Sequence, residues 1–366
     1  MNSDRKPHYT DPSPPNSHII ICYRDPAARY STYSPVGLGI NAHMSAKVLR
    51  NCGIRVDVHA VSGSDHIASI LRSKPTATHV IIEAAFISVE NVGVLTRQFG
   101  NTEFSCRIHS QVAFLQCEPQ AISMIRDYVR LQDHTLNFRL SVNSDRIGTF
   151  LEQVYGSSIL LLPNLYFIDN PQIRTFREPA SLLRVGSFGA LRLMKNHATG
   201  VSAALMMASV HRRDLEFYLS VGREEGGGNS ILAAVRNLFT GVPFGKLREI
   251  PWSNWSDFRH IIANLDLHMQ LSVSETYNIT TADACAQGVP TVCSGALDWT
   301  PASWHADIDD VSDIARVGWA LLTDPYACAR GLAGLTNYNK MSLSKWMDWL
   351  SAYHGAVKTM PHLHET

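Results

Sequence analysis

The stretch "LHMQLSVSETYNITTADACAQGVPTVCS", residues 267–294, contains a strand, a loop, a short helix and a second strand in that order. The apolar run at 267–274 predicts a buried strand, and "PTVCS" at 290–294 predicts another. Between them, Asn278, Thr280 or Thr281 can cap a helix that Gly288 ends. Two strands joined through a helix predict a parallel sheet that is covered by helices.

The same alternation of strand and helix runs along most of the chain. In the first half, strands are predicted at 18–24, 54–61, 79–86, 104–109, 136–143 and 158–164. In the second half, strands are predicted at 182–188, 215–222, 246–251, 267–274 and 290–294. The polar segment between the halves, "DNPQIRTFREPAS" at 169–181, contains two prolines and is typical of a linker. The sequence therefore predicts an α/β protein of two Rossmann-like domains that face each other across a cleft.

The composition supports two domains and excludes some classes of partner. A chain of 366 residues with 45% hydrophobic residues exceeds the size at which single cores usually stop growing, which is about 250 to 300 residues. Thirty-two basic and thirty-two acidic residues give a formal charge of zero, so no global field attracts nucleic acid or an anionic membrane. The predicted boundaries are 1–17 for a disordered leader, 18–172 and 182–340 for the two domains, and 341–366 for a helix that packs back and a tail.

The chain also lacks signals for membrane or secretory targeting. Its first residues contain no apolar segment of a signal peptide, and no apolar run approaches the roughly 20 residues that span a bilayer. The seven cysteines are scattered and contain no C-x-x-C pair, so we expect reduced thiols. These features predict a cytoplasmic protein without an integral membrane segment.

Two acids frame the start of the helix that follows residue 274. Glu275 lies in the loop and Asp283 lies on the helix, with seven residues between them. The first amides of a helix are unpaired and the dipole is positive there, which makes an anion site suited to a diphosphate. Glu275 would then lie beside the group that the phosphates carry, and Asp283 could accept hydrogen bonds from a ribose diol. Alternatively, Asp283 only complements the helix dipole and Glu275 is a solvated loop acid.

The segment from Ser274 to Ser294 resembles the E-x7-E region of retaining glycosyltransferases of the GT-B fold, particularly family four. The resemblance implies that Glu275 faces the donor sugar and that Asp283, in place of the usual glutamate, holds the nucleotide ribose. The family's "E-G-F-G" is here "E-T-Y-N", so the loop lacks the usual glycines and the donor preference is open. The donor-binding residues implied here are Thr276, Tyr277, Asn278, Ile279, Thr280 and Asp283.

The segment "VGSFGALRLMKNHATG", residues 185–200, resembles the family's phosphate-binding opening. The resemblance implies that Lys195 and Arg192 neutralise the leaving diphosphate, since fixed cations stabilise developing negative charge. The alternative is that both are surface cations at a helix start. The segment "VGREEGGGNS", residues 221–230, resembles the turn from which Arg223 would reach the nucleotide.

Gly37 and Gly39 permit two interpretations. With Ala42 and the later Asp57 they match the G-x-G-x-x-A fingerprint of a dinucleotide site. That fingerprint requires a strand running directly into the glycines, whereas "DPAARYSTYSPV" intervenes here. The segment also resembles the amino-terminal loop of GT-B enzymes, whose glycines face the donor, and we favour this interpretation.

His109 follows a predicted strand and is expected at the edge of the cleft. The resemblance implies a histidine close to the transferred sugar, although a lone histidine is more often structural. Glu83, just past "HVII" in the strand predicted at 79–86, is a weaker candidate for the acceptor side.

The expected activity is that of a retaining hexosyl- or pentosyltransferase. The donor is a nucleoside diphosphate sugar, and neither a cofactor nor a metal is expected, because "DID" at 307–309 only mimics the metal motif of another glycosyltransferase fold. The acceptor stays open among glycan, lipid, protein and a hydroxylated DNA base. The rival hypotheses are an NAD-dependent oxidoreductase and a catalytically silent scaffold that binds sugar or nucleotide.

Overall fold

The computed structural model describes residues 17–25, 37–172 and 174–359. The predicted leader therefore lies outside the described residues except for Ser17. Within these ranges, no helix is both long enough and apolar enough to cross a membrane.

The chain divides into two compact units. Unit 1 comprises the described residues of 1–109, 118–167 and 341–366, and unit 2 comprises those of 110–117 and 168–340. Each unit is built on a parallel sheet with helices between its strands, which confirms the predicted α/β class of two Rossmann-like domains.

Unit 1 contains a six-stranded parallel sheet in the order β2-β1-β3-β4-β5-β6. Its strands are β1 (His18–Arg24), β2 (Arg55–Val61), β3 (His79–Glu83), β4 (Glu103–Ile108), β5 (Phe138–Val142) and β6 (Leu160–Leu161). Its helices are α1 (Gly37–Asn51), α2 (Ser64–Ser73), α3 (Val89–Gln98), α5 (Pro119–His134) and α6 (Asp145–Tyr155), while α4 (Val112–Leu115) belongs to unit 2.

Unit 2 contains a five-stranded parallel sheet in the order β11-β10-β7-β8-β9. Its strands are β7 (Leu182–Ser187), β8 (Asp214–Val221), β9 (Gly245–Pro251), β10 (Leu267–Gln270) and β11 (Thr291–Cys293). Its helices are α7 (His197–Val210), α8 (Gly228–Leu238), α9 (Trp255–Ala263), α10 (Ile279–Ala286) and α11 (Val311–Thr323), and α12 (Ala327–Thr359) begins in this unit.

All eleven predicted strands are present, but several are shorter than predicted. The segment predicted at 267–274 is a strand only to Gln270, because Val273 leaves the ladder and its N–H donates to the carbonyl of Met194 at 2.9 Å. That bond joins the loop after β10 to the loop after β7. Residues 271–274 therefore connect two loops instead of extending the sheet.

Helix α12 supplies two tryptophans to the core of unit 1. Trp346 is fully buried, packs in one cluster with β1 residues such as Ile19 and Ile21, and donates its indole N–H to the carbonyl of Pro163 at 2.8 Å. Trp349 lies in the same cluster and donates to Glu103 at 2.8 Å. Both polar nitrogens are thus satisfied, which lets these large rings be buried.

We predict that Trp346→Ala lowers the free energy of unfolding by about 3–5 kcal/mol, because it removes buried aromatic surface and leaves a cavity. Urea unfolding followed by circular dichroism measures this change. Met341→Ala, on the same helix but with 68% of the residue exposed, is the matched control and should change stability by less than about 0.5 kcal/mol. Equal effects of the two substitutions would contradict the assigned packing.

Candidate functional site

The loops after β7 and β10 meet where the strand order of unit 2 reverses. The chain proceeds from β7 to β8 and β9 on one side and then returns to β10 on the other side of β7. Open parallel sheets bind ligands at such a switch point, beyond the carboxyl ends of the strands. Lys195 follows β7 and Glu275 follows β10, and their side chains form an ion pair there. The structure therefore brings together two residues that are 80 positions apart in the sequence.

The Lys195–Glu275 pair is largely withdrawn from solvent. The side chains are 8% and 12% exposed, respectively, which rules out the interpretations of Lys195 as a surface cation and of Glu275 as a solvated acid. Burial lowers the pKa of Lys195, although Glu275 opposes this effect. Burial alone would raise the pKa of Glu275, but the charge of Lys195 and its hydrogen bond lower that pKa overall. The carboxylate is accordingly held in its charged form.

The start of α10 is only partly capped. The Asn278 side chain accepts the N–H of Thr281 at 2.9 Å and also accepts the hydroxyls of Thr280 and Thr281. Among the described residues, the structure gives no acceptor to the amides of Ile279 and Thr280. Two donors therefore remain at the positive end of the helix dipole.

A polar network joins this helix start to the ion pair. The Asn278 amide donates to Glu275 at 3.2 Å, and Gln270 donates to Ser272 at 2.6 Å and to Glu275 at 3.5 Å. The Thr280 hydroxyl donates to Gln270 at 3.3 Å. Gln270 is the last residue of β10, and its contacts with Glu275 and Thr280 were not predicted from the sequence. Its polarity at the end of a buried strand is the signal that could have identified it.

The ring of Tyr277 does not face this network. It is 1% exposed and packs on Trp299 and Tyr338, with ring centroids 5.6 and 5.1 Å away. The indole of Trp299 also donates to the Tyr277 carbonyl at 2.7 Å. The Tyr277 side chain thus anchors the loop, and the donor contacts of Thr276 and Tyr277 stay predictions.

Asp283 is held by a tryptophan from the preceding helix. The indole N–H of Trp255 donates to both carboxylate oxygens of Asp283, at 3.0 and 3.2 Å, and Asp283 is 1% exposed. The guanidinium of Arg259 lies over the ring of Trp255, 4.8 Å from the ring centroid. The sequence analysis predicted Asp283 as a ribose ligand but did not predict that Trp255 would bind it.

Arg192 and Arg223 come together through an acid that the sequence analysis did not name. Glu225 binds Arg192 at 3.3 Å and Arg223 at 2.6 Å, each through a different carboxylate oxygen. Arg192 and Glu225 follow adjacent strands, β7 and β8, at the same edge of the sheet as Lys195. The charges of Arg192, Arg223 and Glu225 therefore follow the same ends of the unit 2 strands as the Lys195–Glu275 pair.

In unit 1, His109 lies against a buried ion pair. Arg107 donates to both oxygens of Glu83 at 3.0 and 3.1 Å, and both residues are completely buried. His109 Nε2 contacts Glu83, and Asn143 lies 3.2 Å from His109 Nδ1. Burial lowers the pKa of His109, although Glu83 opposes this effect, so the ring is held neutral. Glu83 has no exposed surface, so the structure does not support its predicted contact with an acceptor.

The features of the alternative dinucleotide site are separated in unit 1. Strand β1 ends at Arg24, whereas Gly37 and Gly39 begin α1. Asp57 pairs in register with Ile20, near the amino end of the sheet, and it binds His18 at 2.9 Å and Lys74 at 2.6 Å. Burial opposes ionisation of Asp57, but its bonds to Lys74 and His18 lower its pKa to about 2. These features do not fit a dinucleotide fingerprint, and the two glycines lie in α1 instead of in the loop that was predicted before it.

The "DID" triplet precedes α11. Asp307 accepts the N–H of Asp309 at 3.1 Å, and Asp313 accepts the N–H of Asp307 at 2.9 Å. In the part of the chain that the structure describes, histidine, cysteine and acidic side chains form no group of three that could hold a metal ion.

Solved structures with a similar fold include a glycosyltransferase. A glycosyltransferase from Rickettsia africae has a TM-score of 0.61 and 12% identity, and the alignment covers 94% of this chain and 100% of that chain. Sucrose-phosphate synthase from Thermosynechococcus elongatus has a TM-score of 0.63 and 15% identity, with 93% and 98% covered. Anabaena HepE in complex with UDP and glucose has a TM-score of 0.58 and 13% identity, with 93% and 100% covered.

These similarities show that the chain has the GT-B fold, as the sequence predicted. A scan against protein-family models and a search of curated proteins each found no match.

We predict that Glu83→Gln lowers the free energy of unfolding at pH 7 by about 3–5 kcal/mol, because it leaves the buried Arg107 without its counter-charge. Arg107 and His109 lower the pKa of Glu83 below its ordinary value of 4.5, against the effect of burial. The contribution of the carboxylate is therefore fully present above pH 4.5 and is lost as the pH falls through the lower folded value.

Urea unfolding at pH 7, 5.5 and 3.5 tests the direction of this pH dependence. The difference in the free energy of unfolding between the wild type and Glu83→Gln should be constant from pH 7 to 5.5 and smaller at pH 3.5. The exposed Glu90→Gln in the same unit is the control. A difference that grew on acidification would contradict the proposed state of Glu83.

Proposed function

We propose that this protein transfers a sugar from a nucleoside diphosphate sugar to an acceptor with retention of the anomeric configuration. The single observation that carries the proposal is the buried Lys195–Glu275 pair at the switch point of unit 2, beside the partly uncapped start of α10. A cation and two helix amides suit a diphosphate, and an adjacent acid suits the sugar that it carries. The GT-B fold is consistent with this chemistry.

In the proposed reaction, the bond between the anomeric carbon and the diphosphate oxygen breaks. An acceptor oxygen bonds to that carbon on the same face, and its proton passes to the departing phosphate oxygen. Lys195, Arg192 and the amides of Ile279 and Thr280 stabilise the charge that builds on the diphosphate. Glu275 is proposed to face the sugar. Because the acceptor attacks on the face that the phosphate leaves, and the phosphate takes its proton, no covalent enzyme intermediate is required and the protein acts by positioning and by stabilising charge.

The nucleotide is proposed to extend towards Asp283 and Arg223. A carboxylate has about four acceptor sites, so Asp283 can bind ribose hydroxyls while it keeps the Trp255 indole. Because Asp283 is 1% exposed, side chains around it must shift before a ribose reaches it. Arg223 lies 5.4 Å from the ring centroid of Trp252, and we propose that this pair contacts the base or the phosphates.

We predict that Glu275→Gln lowers the rate of donor turnover, measured as transfer or as donor hydrolysis, by about 100-fold or more. Its affinity for UDP should not fall, since the acid is proposed to face the sugar and its loss leaves Lys195 without a competing carboxylate. Turnover is measured by release of the nucleoside diphosphate, with UDP-glucose as the first donor because HepE binds UDP and glucose. Anomeric proton couplings in the NMR spectrum of the product test retention.

Glu178→Gln, which changes an exposed acid of the same unit, is the control and should leave turnover unchanged. Full turnover by Glu275→Gln would contradict the role of this acid. If wild-type protein binds donors but never turns them over, the silent-scaffold hypothesis replaces this one.

Calorimetric titrations with NAD, UDP and GDP separate sugar transfer from the oxidoreductase alternative. We expect saturable binding of a nucleoside diphosphate and none of NAD. Mass spectrometry of glycan, lipid, protein and hydroxylated DNA acceptors incubated with a donor panel then identifies the acceptor. Binding of NAD alone would overturn the proposal.

A further inference from the structure

Glu225 occupies the space between the two arginines that follow β7 and β8. One carboxylate oxygen lies 2.6 Å from Arg223 Nη2, and the other lies 3.3 Å from Arg192 Nη1. A carboxylate that bridges two guanidinium groups takes the same donors that a phosphate group would use. Glu225 is only partly buried, with 34% of its side chain exposed.

This arrangement leaves some of the hydrogen-bond donors of Arg192 without a good acceptor. Its contact with Glu225 is 3.3 Å, longer than the 2.7–2.9 Å that is typical of charge-assisted hydrogen bonds. Its Nε is buried and has no hydrogen-bond partner among the described residues. The guanidinium instead lies 4.6 Å from the ring centroid of Phe114. Arg192 therefore retains donor capacity that an additional anion would fill.

The backbone around Glu225 is fixed, so its side chain can leave without refolding of the loop. The Glu225 N–H donates to the Leu191 carbonyl at 2.8 Å, and the Leu191 N–H donates to the Arg223 carbonyl at 2.9 Å. These bonds join the loop after β7 to the loop after β8. Rotation of one partly exposed side chain would release both guanidinium groups while their backbone positions stay the same.

We propose that Glu225 is an internal counter-anion that competes with the donor's diphosphate for Arg192 and Arg223. The inference rests on the proposed function, since it concerns the same anion site. When a diphosphate binds, its oxygens replace the Glu225 carboxylate, and Arg192 gains the acceptor that it lacks. When the diphosphate leaves, Glu225 returns and restores the charge balance. Glu225 thus weakens the binding of the product and favours its release.

The opposite role, in which Glu225 positions the arginines for the ligand, predicts the opposite effect. A positioning acid leaves the ligand-facing donors free, whereas Glu225 uses one Nη group of each arginine and leaves Arg192 Nε without an acceptor. Competition therefore predicts tighter diphosphate binding when the charge is removed, and positioning predicts weaker binding.

Calorimetric titration of the full chain with UDP, and separately with inorganic pyrophosphate, tests the competition. Glu225→Gln should bind both ligands about fivefold more tightly than the wild type, because two partly exposed ion pairs no longer have to be broken. Glu224→Gln is the matched control. It removes the same charge from the same loop, but Glu224 is exposed and accepts the Gly222 N–H instead of pairing with the arginines. Its affinities should change by less than about twofold.

The two ligands separate this inference from the proposed function. Pyrophosphate needs no nucleotide site, so failure of every nucleoside diphosphate to bind rejects the proposed function while pyrophosphate still measures the role of Glu225. Three results would each overturn the proposed competition. Glu225→Gln could bind pyrophosphate no more tightly than the wild type, neither protein could bind it, or Glu224→Gln could show an equal gain in affinity. Thermal unfolding of both variants verifies that they are folded.

Discussion

The buried ion pair between Lys195 and Glu275 is the interaction on which the candidate site depends. Removing two charges from water is costly, and a buried pair often stabilises a fold no better than apolar residues of similar size. Stability alone therefore gives little reason to place this pair at the edge of the unit 2 sheet. Its position at the strand switch point, next to a partly uncapped helix, gives a functional reason. Each charge neutralises the other until a charged ligand arrives.

The loops that carry these charges are joined by backbone hydrogen bonds. Val273 bonds to Met194 between the loops after β10 and β7, and Leu191 bonds to Arg223 and Glu225 between the loops after β7 and β8. Three neighbouring parallel strands thus deliver three loops that hold each other in place. The charged side chains can then change partners while the backbone geometry is preserved, which is the kind of preorganisation that electrostatic catalysis requires.

The sequence predicted the strands and the fold because alternation of apolar runs and helical segments is a local signal. It also indicated Glu275 and Asp283 from their positions around a helix start, and Lys195 from the resemblance of residues 185–200 to a phosphate-binding segment. Their partners were not predictable in this way. Glu225 and Trp255 act through side chains that meet only after the strands assemble, and Trp255 contacts Asp283 across 28 positions. The packing of Tyr277 likewise depends on Tyr338, far along the chain.

A comparison of two buried acids separates a structural ion pair from a functional one. Glu83 is completely enclosed, and Arg107, which binds it, also donates to the Leu162 carbonyl and to Asn164, so this cluster is saturated by protein groups. Glu275 also has a buried cationic partner, but among the described residues the amides of Ile279 and Thr280 and the Nε of Arg192 have no acceptor. Burial and an altered pKa are common to both acids and therefore do not distinguish a binding site from a structural ion pair. The unpaired donors near Glu275 support the proposal that a ligand binds there, because native proteins leave few buried donors unpaired without a reason.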